Sequence, residues 1–327
     1  MAKGHISRRR VTFGGLALAA GALPSAVMAQ AAARTIRMTV PYAPGGFTDV
    51  TARLIASRLQ EHLGQTVIVD NKPGANGIIG AQAIARSAPD GLNFGVVIAA
   101  HAANTTLYKK LPYDPQKDFV AVSLIGESPL VFAVNNKSPF KSMAEFVAHA
   151  KQNPGKLSFG SSGNGSAVHL TMALLQSVTK TKMIHVPFRG SALALTDLLG
   201  GQIDLFGDAA QGLITQGKSG AVRLVGVTSA KRLPALPDVP TLAEQGIDGV
   251  ISNTWAGILA PAGTPPETVQ KVADAVAKIV REPSVKAKLD EMGTVPVGSS
   301  PAEFSRYLAD ETAKWGKVIK ATNLQLD

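Results

Sequence analysis

The sequence contains no cysteine among its 327 residues, and only 5% of them are aromatic. A disulfide scaffold, a cysteine-based zinc site, an iron–sulfur cluster and a thiol nucleophile are excluded, because each needs cysteine. Disorder is excluded as well, since 45% of the residues are hydrophobic and 17% are charged. The length suggests about two domains of about 150 residues each.

Acidic residues are absent before Asp49, and the chain begins with the three parts of a secretory signal. Lys3 and residues 8–10 are basic, residues 11–22 are apolar, and small residues precede Ala29. The apolar run is interrupted by glycine and is shorter than the about 20 residues that a membrane-spanning helix needs. We therefore predict a signal peptide over residues 1–29, cleaved on export.

Residues 7–12 also resemble a twin-arginine export signal, although Val11 and Thr12 replace the usual Phe-Leu pair. The general secretion route and the twin-arginine route both stay open. Beyond residue 33 the sequence has no uninterrupted apolar run of spanning length. The expected location of the mature protein is the periplasm, as a soluble protein.

The formal net charge of +10 does not indicate a nucleic-acid partner. Part of it belongs to the predicted signal peptide, and the remaining basic residues are scattered among acids without an aromatic-interleaved basic stripe. A basic cleft for a small anion is compatible with the same composition.

Strand and helix patterns alternate along the mature chain and predict an α/β fold with two doubly wound lobes. A strand near residues 35–40 precedes a helix that begins at Thr48 or Asp49, and residues 94–99 form a continuous apolar strand. The C-terminal part of the chain is mostly helical, and its helices must pack on a sheet, whereas the N-terminal unit has few helices of its own. We therefore expect the chain to leave the first lobe and return to it later.

This argument predicts two discontinuous lobes joined by a two-segment hinge. Lobe one comprises residues 34–128 and 254–327, and lobe two comprises residues 129–253. Such a hinge allows the lobes to close over a ligand.

The first candidate binding loop lies between the first strand and the first helix and has the sequence PYAPGGFTD, residues 41–49. In open α/β sheets, ligands bind at the carboxyl ends of the strands. Two glycines leave backbone N–H groups uncovered, and the helix N-terminus adds free donors and partial positive charge. The pattern favours an anion site, and the alternative is an ordinary β–α turn with Thr48 or Asp49 as the N-cap.

The second candidate loop, GSSGNGSAVH over residues 160–169, has the same strand–loop–helix context. Its hydroxyls and bare amides could hold a second anionic group, whereas the spacing and lysine of a P-loop are missing. The alternative is a turn capped by Ser166. A third loop, around Asn76 and Gly77, lacks the dinucleotide-binding pattern but could add amides at the same sheet edge.

Catalytic and metal sites have little support in the sequence. Ser166 and His169 are three residues apart on a predicted helix and could touch, but no G-x-S-x-G elbow surrounds the serine. The six histidines have no metal-ligand spacing, and we predict neither a metal nor a cofactor. Asp208 could contact a ligand amine or hydroxyl, and a structural turn carboxylate is the equal alternative.

Six ordered motifs resemble the periplasmic solute-binding proteins of the tripartite tricarboxylate transporter system, the Bug family. They are VPYAPGGFTD (residues 40–49), VDNKPGANG (69–77), GNGSAVHL (163–170), HVPFRGS (185–191), LLGGQID (198–204) and WAGILAPAGTP (255–265). The resemblance covers the whole mature chain. The family usually carries a general-secretion signal, so the twin-arginine-like segment is a departure.

The resemblance implies a two-domain clamshell of the periplasmic binding protein type II kind, a Venus flytrap without enzymatic activity. Its ligand would be a small carboxylate: a di- or tricarboxylate, an acidic amino acid or an aromatic acid. The loop matching Tyr42 to Asp49 would hold one carboxylate, often with ordered waters. The loop matching Ser161 to Ser166 and the segment Arg189–Ser191 would approach from the second lobe, and a membrane permease would receive the ligand from a monomeric receptor.

Phe47 is a candidate specificity residue: it could face the ligand and favour an apolar acid, or it could pack beneath the loop. Two other functions remain open, a secreted α/β hydrolase that uses Ser166 and His169, and a ligand sensor for a signalling partner. The candidate ligand-binding residues are Tyr42, Ala43, Gly45, Gly46, Phe47, Thr48, Asp49, Asn76, Gly77, Ser161, Ser162, Gly165, Ser166, His169, Arg189, Ser191 and Asp208.

Overall fold

The structure is a computed structural model that describes Met1, residues 35–324 and Leu326. Apart from Met1, the predicted signal peptide lies outside these described residues. In the part of the chain that is described, no helix is both long enough and apolar enough to cross a membrane.

Among the described residues, ten strands form one mixed sheet. They are β1 (Ile36–Val40), β2 (Val67–Asn71), β3 (Asn93–Val97), β4 (Phe119–Asn135), β5 (Ser158–Ser161), β6 (Ile184–Pro187), β7 (Leu205–Ala209), β8 (Val222–Val227), β9 (Asn253–Pro261) and β10 (Val295–Pro296). Their order is β2-β1-β3-β9-β4-β7-β5-β6, and β8 and β10 also pair with β4.

Ten α-helices alternate with these strands in the described part of the chain. They are α1 (Phe47–Leu63), α2 (Ile78–Ala85), α3 (Ala99–Leu107), α4 (Met143–Gln152), α5 (Ala167–Thr179), α6 (Ser191–Leu199), α7 (Ala210–Lys218), α8 (Pro266–Ile279), α9 (Pro283–Glu291) and α10 (Pro301–Thr322). The alternation confirms the predicted α/β class.

The long strand β4 changes partners in its middle. Its first part, as far as Pro129, pairs with β9, whereas Leu130 and the residues after it pair with β7 and β8. On one side of this change β1 pairs in parallel with β2 and β3, and on the other side β5 pairs in parallel with β6 and β7. The sheet therefore consists of two groups of parallel strands joined through β4 and β9.

Separate apolar clusters cover the two groups. One combines the buried side chains of β1 and β3 with α1 and α8, for example Met38, Ile55 and Val276. Another packs α6 and α7 on the second group, with Phe206 and Leu213 in its centre. Because helices cover both faces of the parallel strands, consecutive residues of these strands are hydrophobic in the sequence.

Helix α10 is fastened to β9 by a buried carboxylate. Glu311 Oε2 accepts hydrogen bonds from the indole nitrogens of Trp255, at 3.2 Å, and Trp315, at 2.9 Å. The Lys314 ammonium lies 3.0 Å from the other oxygen of Glu311 and supplies the countercharge. Ser300 and Glu303 form a capping box at the start of the helix.

The sequence pattern missed two helices, α3 and α7. Residues 94–99 were expected to be one apolar strand, but β3 ends at Val97 and α3 begins at Ala99. Alanine dominates the start of α3 and is the best helix former, so propensity decides there. In α7, Gly212 weakens the helical pattern, because glycine is a poor helix former. A side chain at this position would collide with the Asp208 carboxylate.

Candidate functional site

Three connections leave the carboxyl ends of the parallel strands β1, β2 and β3, which we call the first edge. The first loop, residues 41–46, leads into α1, residues 72–77 lead into α2, and Ile98 joins β3 to α3. The N-cap residue of α1 is Gly46, and no side chain caps this helix. No side-chain oxygen therefore occupies the backbone N–H groups of its first turn, which suit an anion. Helix α2 follows Gly77 and also lacks a side-chain cap, although its first N–H, that of Ile78, donates to the Ala75 carbonyl.

Asp49 turns its carboxylate back into the first loop. Its oxygens accept hydrogen bonds from Gly45 N at 2.9 Å, Arg53 Nε at 3.0 Å and Asn71 Nδ2 at 2.9 Å. Burial alone would raise the pKa of the carboxyl, but the bonds from Arg53, Gly45 and Asn71 hold it below its usual value. The carboxylate thus fixes the shape of the loop, and Arg53 balances its charge.

The Tyr42 side chain supports the neighbouring turn from beneath. A Cβ atom at Gly77, whose φ is +86°, would lie 2.6 Å from the Tyr42 hydroxyl. Burial raises the pKa of the Tyr42 phenol well above its usual range, and the nearby hydroxyls of Tyr113 and Tyr108 add to this rise. Asn71 Nδ2 also donates to the Tyr42 carbonyl at 3.0 Å, which ties β2 to the first loop.

The other residues of the first loop divide between surface and core. Ala43, Pro44, Gly45 and Gly46 are exposed, so their backbone groups can be reached from solvent. Thr48 is buried, and Phe47 is partly buried against the apolar cluster of β1 and α1. Phe47 therefore places at least part of its ring beneath the loop.

Asn76 connects the first edge to the second group of strands. Its Nδ2 donates to Asn104 Oδ1 at 2.8 Å, and Asn104 Nδ2 donates back to the Asn76 carbonyl at 3.1 Å. A Cβ atom at Gly165 would lie 2.6 Å from Asn76 Nδ2 and 2.8 Å from Leu107 Cδ1. The loop of Gly165 and the turn of Asn76 are thus in contact, and only a glycine at position 165 permits it.

The second edge is formed by the carboxyl ends of β5, β6 and β7. Ser161, at the end of β5, is fully buried, and its hydroxyl lies 2.7 Å from His185 Nε2 and 3.0 Å from the Gly163 carbonyl. Gly163 N donates to the same hydroxyl. These bonds shape the second loop, residues 161–166, while the Ser162 side chain stays partly exposed.

The imidazoles of His169 and His185 stack with ring centroids 3.8 Å apart. Burial lowers the pKa of His169 to about 4. Burial also lowers the pKa of His185 to about 3, helped by repulsion from His169 when both rings are protonated. His169 Nδ1 accepts a hydrogen bond from Gly165 N at 3.0 Å, so its ring proton is on Nε2. Both rings are neutral near pH 7.

Ser166 caps α5 by accepting a hydrogen bond from His169 N at 3.3 Å. The His169 imidazole uses its acceptor nitrogen for Gly165 N and makes no hydrogen bond to the Ser166 hydroxyl in the described structure. A serine nucleophile needs a base within hydrogen-bond reach. The arrangement is that of a helix cap and gives the hydrolase alternative no support.

Ser191 and Asp208 lie together at the second edge. Helix α6 begins at Ser191 after Gly190, without a side-chain cap. Burial raises the pKa of the Asp208 carboxyl to about 6, against the opposing effects of the Ser191 hydroxyl and the Ala209 backbone N–H. Arg189 is exposed and forms no ion pair in the part of the chain that is described.

Three residues that shape the two edges were not among the predicted site residues: Asn71, Asn104 and His185. Arg53 was also missed, although its spacing of four from Asp49 is a recognisable helix pair. The other three act through contacts between distant parts of the chain. Among residues 35–324, no cluster of three or more histidine or acidic side chains could hold a metal ion.

A cavity of about 1070 Å³ lies beside α3 and α10. His101, Tyr113 and Phe119 stand on one side of it and Leu308 and Thr312 on the other. None of the candidate ligand-binding residues lines it. The candidate site is therefore defined by the converging loops.

We expect Asp49→Ala to lower the free energy of unfolding by about 2–3 kcal/mol, because it removes the shared acceptor of the bonds from Gly45, Arg53 and Asn71. Urea denaturation measures the loss. Asp70→Ala is the matched control, since Asp70 pairs with the exposed Arg37 at 3.0 Å and such pairs contribute about 0–1 kcal/mol. Equal losses in the two variants would contradict a role of Asp49 in organising the loop.

Comparison with known proteins identifies the family. The model of the tripartite tricarboxylate transporter family receptor matches residues 51–324. The protein BugT of Bordetella pertussis is 34% identical over 90% of this chain and 91% of its own. Two solved structures are also similar.

Rpa4515 of R. palustris, solved with adipate, is 37% identical, covers 88% of this chain and 97% of its own, and has a TM-score of 0.84. MatC from Rhodopseudomonas palustris, solved with bound malate, is 32% identical, covers 87% and 98%, and has a TM-score of 0.81. The extent of these matches confirms the two-lobe fold of periplasmic binding proteins. The chain belongs to the receptor family of the tripartite tricarboxylate transporters and, like that family, functions outside the cytoplasm as a solute-binding component of a transporter.

Proposed function

We propose that this receptor captures a small organic carboxylate between its two lobes and passes it to a membrane permease. The observation that carries the proposal is the contact between Asn76 and Gly165, which brings the two edges together. The uncapped N-termini of α1 and α2 stand on the first edge, where a carboxylate would find N–H donors. Relatives with adipate and malate support a carboxylate ligand, within the wider class of di- and tricarboxylates, acidic amino acids and aromatic acids.

Backbone amides would supply most of the affinity. Each hydrogen bond to a charged group contributes about 1.5–3 kcal/mol, and a helix N-terminus contributes about 0.3–2 kcal/mol. Four to six such bonds, less the cost of association and closure, give about −8 kcal/mol, which corresponds to a micromolar Kd. No arginine is needed opposite the carboxylate, and Arg53, which lies near the first loop, already pairs with Asp49.

His169 would add a donor from the second lobe. Because Nδ1 accepts from Gly165 N, the ring carries its proton on Nε2. A neutral imidazole with this tautomer donates to a carboxylate without bringing a charge that must be desolvated. Ser161 and Ser166 would act by holding the second loop in shape.

The lobes in this proposal are residues 34–128 with 254–327 and residues 129–253. The partner exchange of β4 between Pro129 and Leu130, opposite Asn253 in β9, supports a two-segment hinge at this position. The ligand must bind the closed form more tightly than the open form, since otherwise occupancy would not be signalled to the permease.

The remaining parts of the proposal concern the setting of the protein. We propose a monomer in the periplasm, exported with cleavage of residues 1–29, which delivers its ligand unchanged to the permease subunits. Membership of a receptor family supports the absence of catalysis, as does the use of Ser166 as a helix cap. The alternative, a sensor for a signalling partner, would have the same binding site. A pull-down from solubilised membranes distinguishes the two functions, because a sensor would capture a signalling protein and a receptor would capture the permease.

A thermal unfolding screen of the exported protein with a panel of carboxylates tests the proposal. At 100 times its Kd, a true ligand stabilises the protein by about 2.7 kcal/mol, which raises the melting temperature by several degrees. The corresponding amides, which lack the charge, serve as matched controls and should give no shift. The absence of a shift with every acid would contradict carboxylate binding.

A further inference from the structure

The second edge carries an acidic side chain where a carboxylate ligand would need a donor. Asp208 lies at the carboxyl end of β7, next to the start of α6 at Ser191. The proposed function explains the donors of the first edge but not this carboxylate. What Asp208 does to the ligand is therefore a separate question.

The register of the sheet places Asp208 at the same edge as the second loop. Gly160 of β5 pairs in parallel with Phe206 of β7. Asp208 comes two residues after Phe206, and the second loop begins at the end of β5, so both follow this pair at the second edge. The side chains of Asp208 and Ser162 are partly exposed, whereas the neighbouring Ser161 and Ala209 are buried.

The face that Asp208 occupies follows from the alternation of β7. Phe206 packs with α6 and α7, and Asp208 comes two residues later on the same face. Its Oδ1 accepts from Ala209 N at 2.9 Å, and its other oxygen lies against Gly212 in α7. The carboxylate thus stands between the N-termini of two helices that no side chain caps.

The charge of Asp208 has no side-chain counterion. None of the ion pairs among the described residues includes it, and its hydrogen bonds come from the Ser191 hydroxyl and the Ala209 backbone N–H. Burial without a cation explains why the pKa of this carboxyl rises to about 6. A hydrogen-bond donor brought by a ligand would satisfy the group, whereas a second carboxylate would be repelled.

We propose, on the basis of the proposed function, that Asp208 is a specificity-determining residue which binds a hydroxyl or ammonium group on the ligand. The bound acid would then lie with a carboxylate at the first edge and its donor at the second. Hydroxy acids and amino acids would bind in preference to acids of the same length without such a group.

Paired ligands test this proposal directly. Isothermal titration of the exported protein would compare each hydroxy or amino acid with its unsubstituted counterpart, such as malate or aspartate with succinate, over several chain lengths. The wild type should prefer the substituted acid by about tenfold or more. In Asp208→Asn, which keeps an acceptor for Ala209 N, the preference for the amino acid should disappear and the unsubstituted dicarboxylate should bind more tightly.

Asp204→Asn is the matched control, because Asp204 accepts from Ser158 N and Ser158 Oγ just before the other end of β7. Its selectivity should equal that of the wild type. Binding with the same selectivity in Asp208→Asn, or a wild type that favours unsubstituted acids, would overturn the role of Asp208 while leaving carboxylate binding intact. Failure of every acid to bind the wild type would overturn the proposed function itself.

Discussion

Gly46→Asp should lower the affinity for the carboxylate ligand by at least about 100-fold without unfolding the protein. The new carboxylate would stand at the N-cap of α1. It would accept hydrogen bonds from the same backbone N–H groups that the ligand needs. Losing two charge-assisted bonds of about 1.5–3 kcal/mol each accounts for this factor. Gly46 has a φ of −78°, and only the Ala43 carbonyl, at 3.8 Å, lies near a Cβ atom there, so the side chain fits.

The matched control is Gly46→Ala, which adds a Cβ atom but no acceptor. Its Kd, measured by isothermal titration, should stay within about threefold of the wild-type value, since a methyl group leaves the donors of α1 free. The Asp variant should melt no lower than the Ala variant, because aspartate is a favourable N-cap. Wild-type affinity in Gly46→Asp would show that the carboxylate binds elsewhere, and an equal loss in both variants would indicate a steric effect.

The sequence is sufficient to predict the location of such loops. Parallel strands followed by helices place their carboxyl ends on one edge, so a glycine-rich loop after β1 and a serine- and glycine-rich loop after β5 lie where ligands bind. The helices α1, α5 and α6 begin within two residues of the predicted positions, because the caps and glycines that start them are local signals. The change of partner in β4 lies close to the predicted hinge, and the exact lobe boundaries stay a prediction.

The contacts that shape the site could not be predicted in this way. Asn76 reaches Asn104 across 28 residues, and its contact with Gly165 joins the two edges. Nothing local distinguishes the inward-turned carboxylate of Asp49 from an exposed helix cap, since its partner Asn71 comes from another strand. Helix α3 was read as the end of a strand because small apolar residues fit a buried strand and a buried helix equally well.

These contacts also change where specificity should be sought. The sequence suggested Phe47, but part of this side chain packs against the core of β1 and α1. The first edge then offers mainly backbone donors, which recognise a carboxylate in any acid. Discrimination between acids would then fall to side chains of the second edge, among them Asp208, as proposed above.

Acid should destabilise the protein through the stacked pair of His169 and His185. An unfolded histidine titrates near pH 6.5, whereas burial lowers the pKa of His169 to about 4 and that of His185 to about 3. Above pH 6.5 both states are neutral and the pair does not affect the pH dependence. As the pH falls from 6.5 towards 4, the unfolded chain binds protons that the folded chain excludes, so the free energy of unfolding falls.

Two substitutions at position 169 separate titration from hydrogen bonding. His169→Asn can place its amide oxygen near the position of Nδ1 and keep the acceptor for Gly165 N, whereas His169→Gln cannot. Between pH 7 and 4.5, urea denaturation should show a loss of stability about 2 kcal/mol smaller in both variants than in the wild type. At pH 7 the Gln variant should be the less stable of the two by about 1–2 kcal/mol, because a buried N–H is left unpaired.

Ligand affinity, measured in the same variants by isothermal titration, decides whether the pair controls the second loop. An imidazolium at position 169 would point an N–H at the Gly165 N–H, and the bond that fixes the loop would be lost. Ligand affinity in the wild type should therefore weaken below pH 5, and less so in His169→Asn, which cannot be protonated. If both variants lose as much stability and affinity on acidification as the wild type, the protons are taken up elsewhere and the neutral pair does not hold the loop.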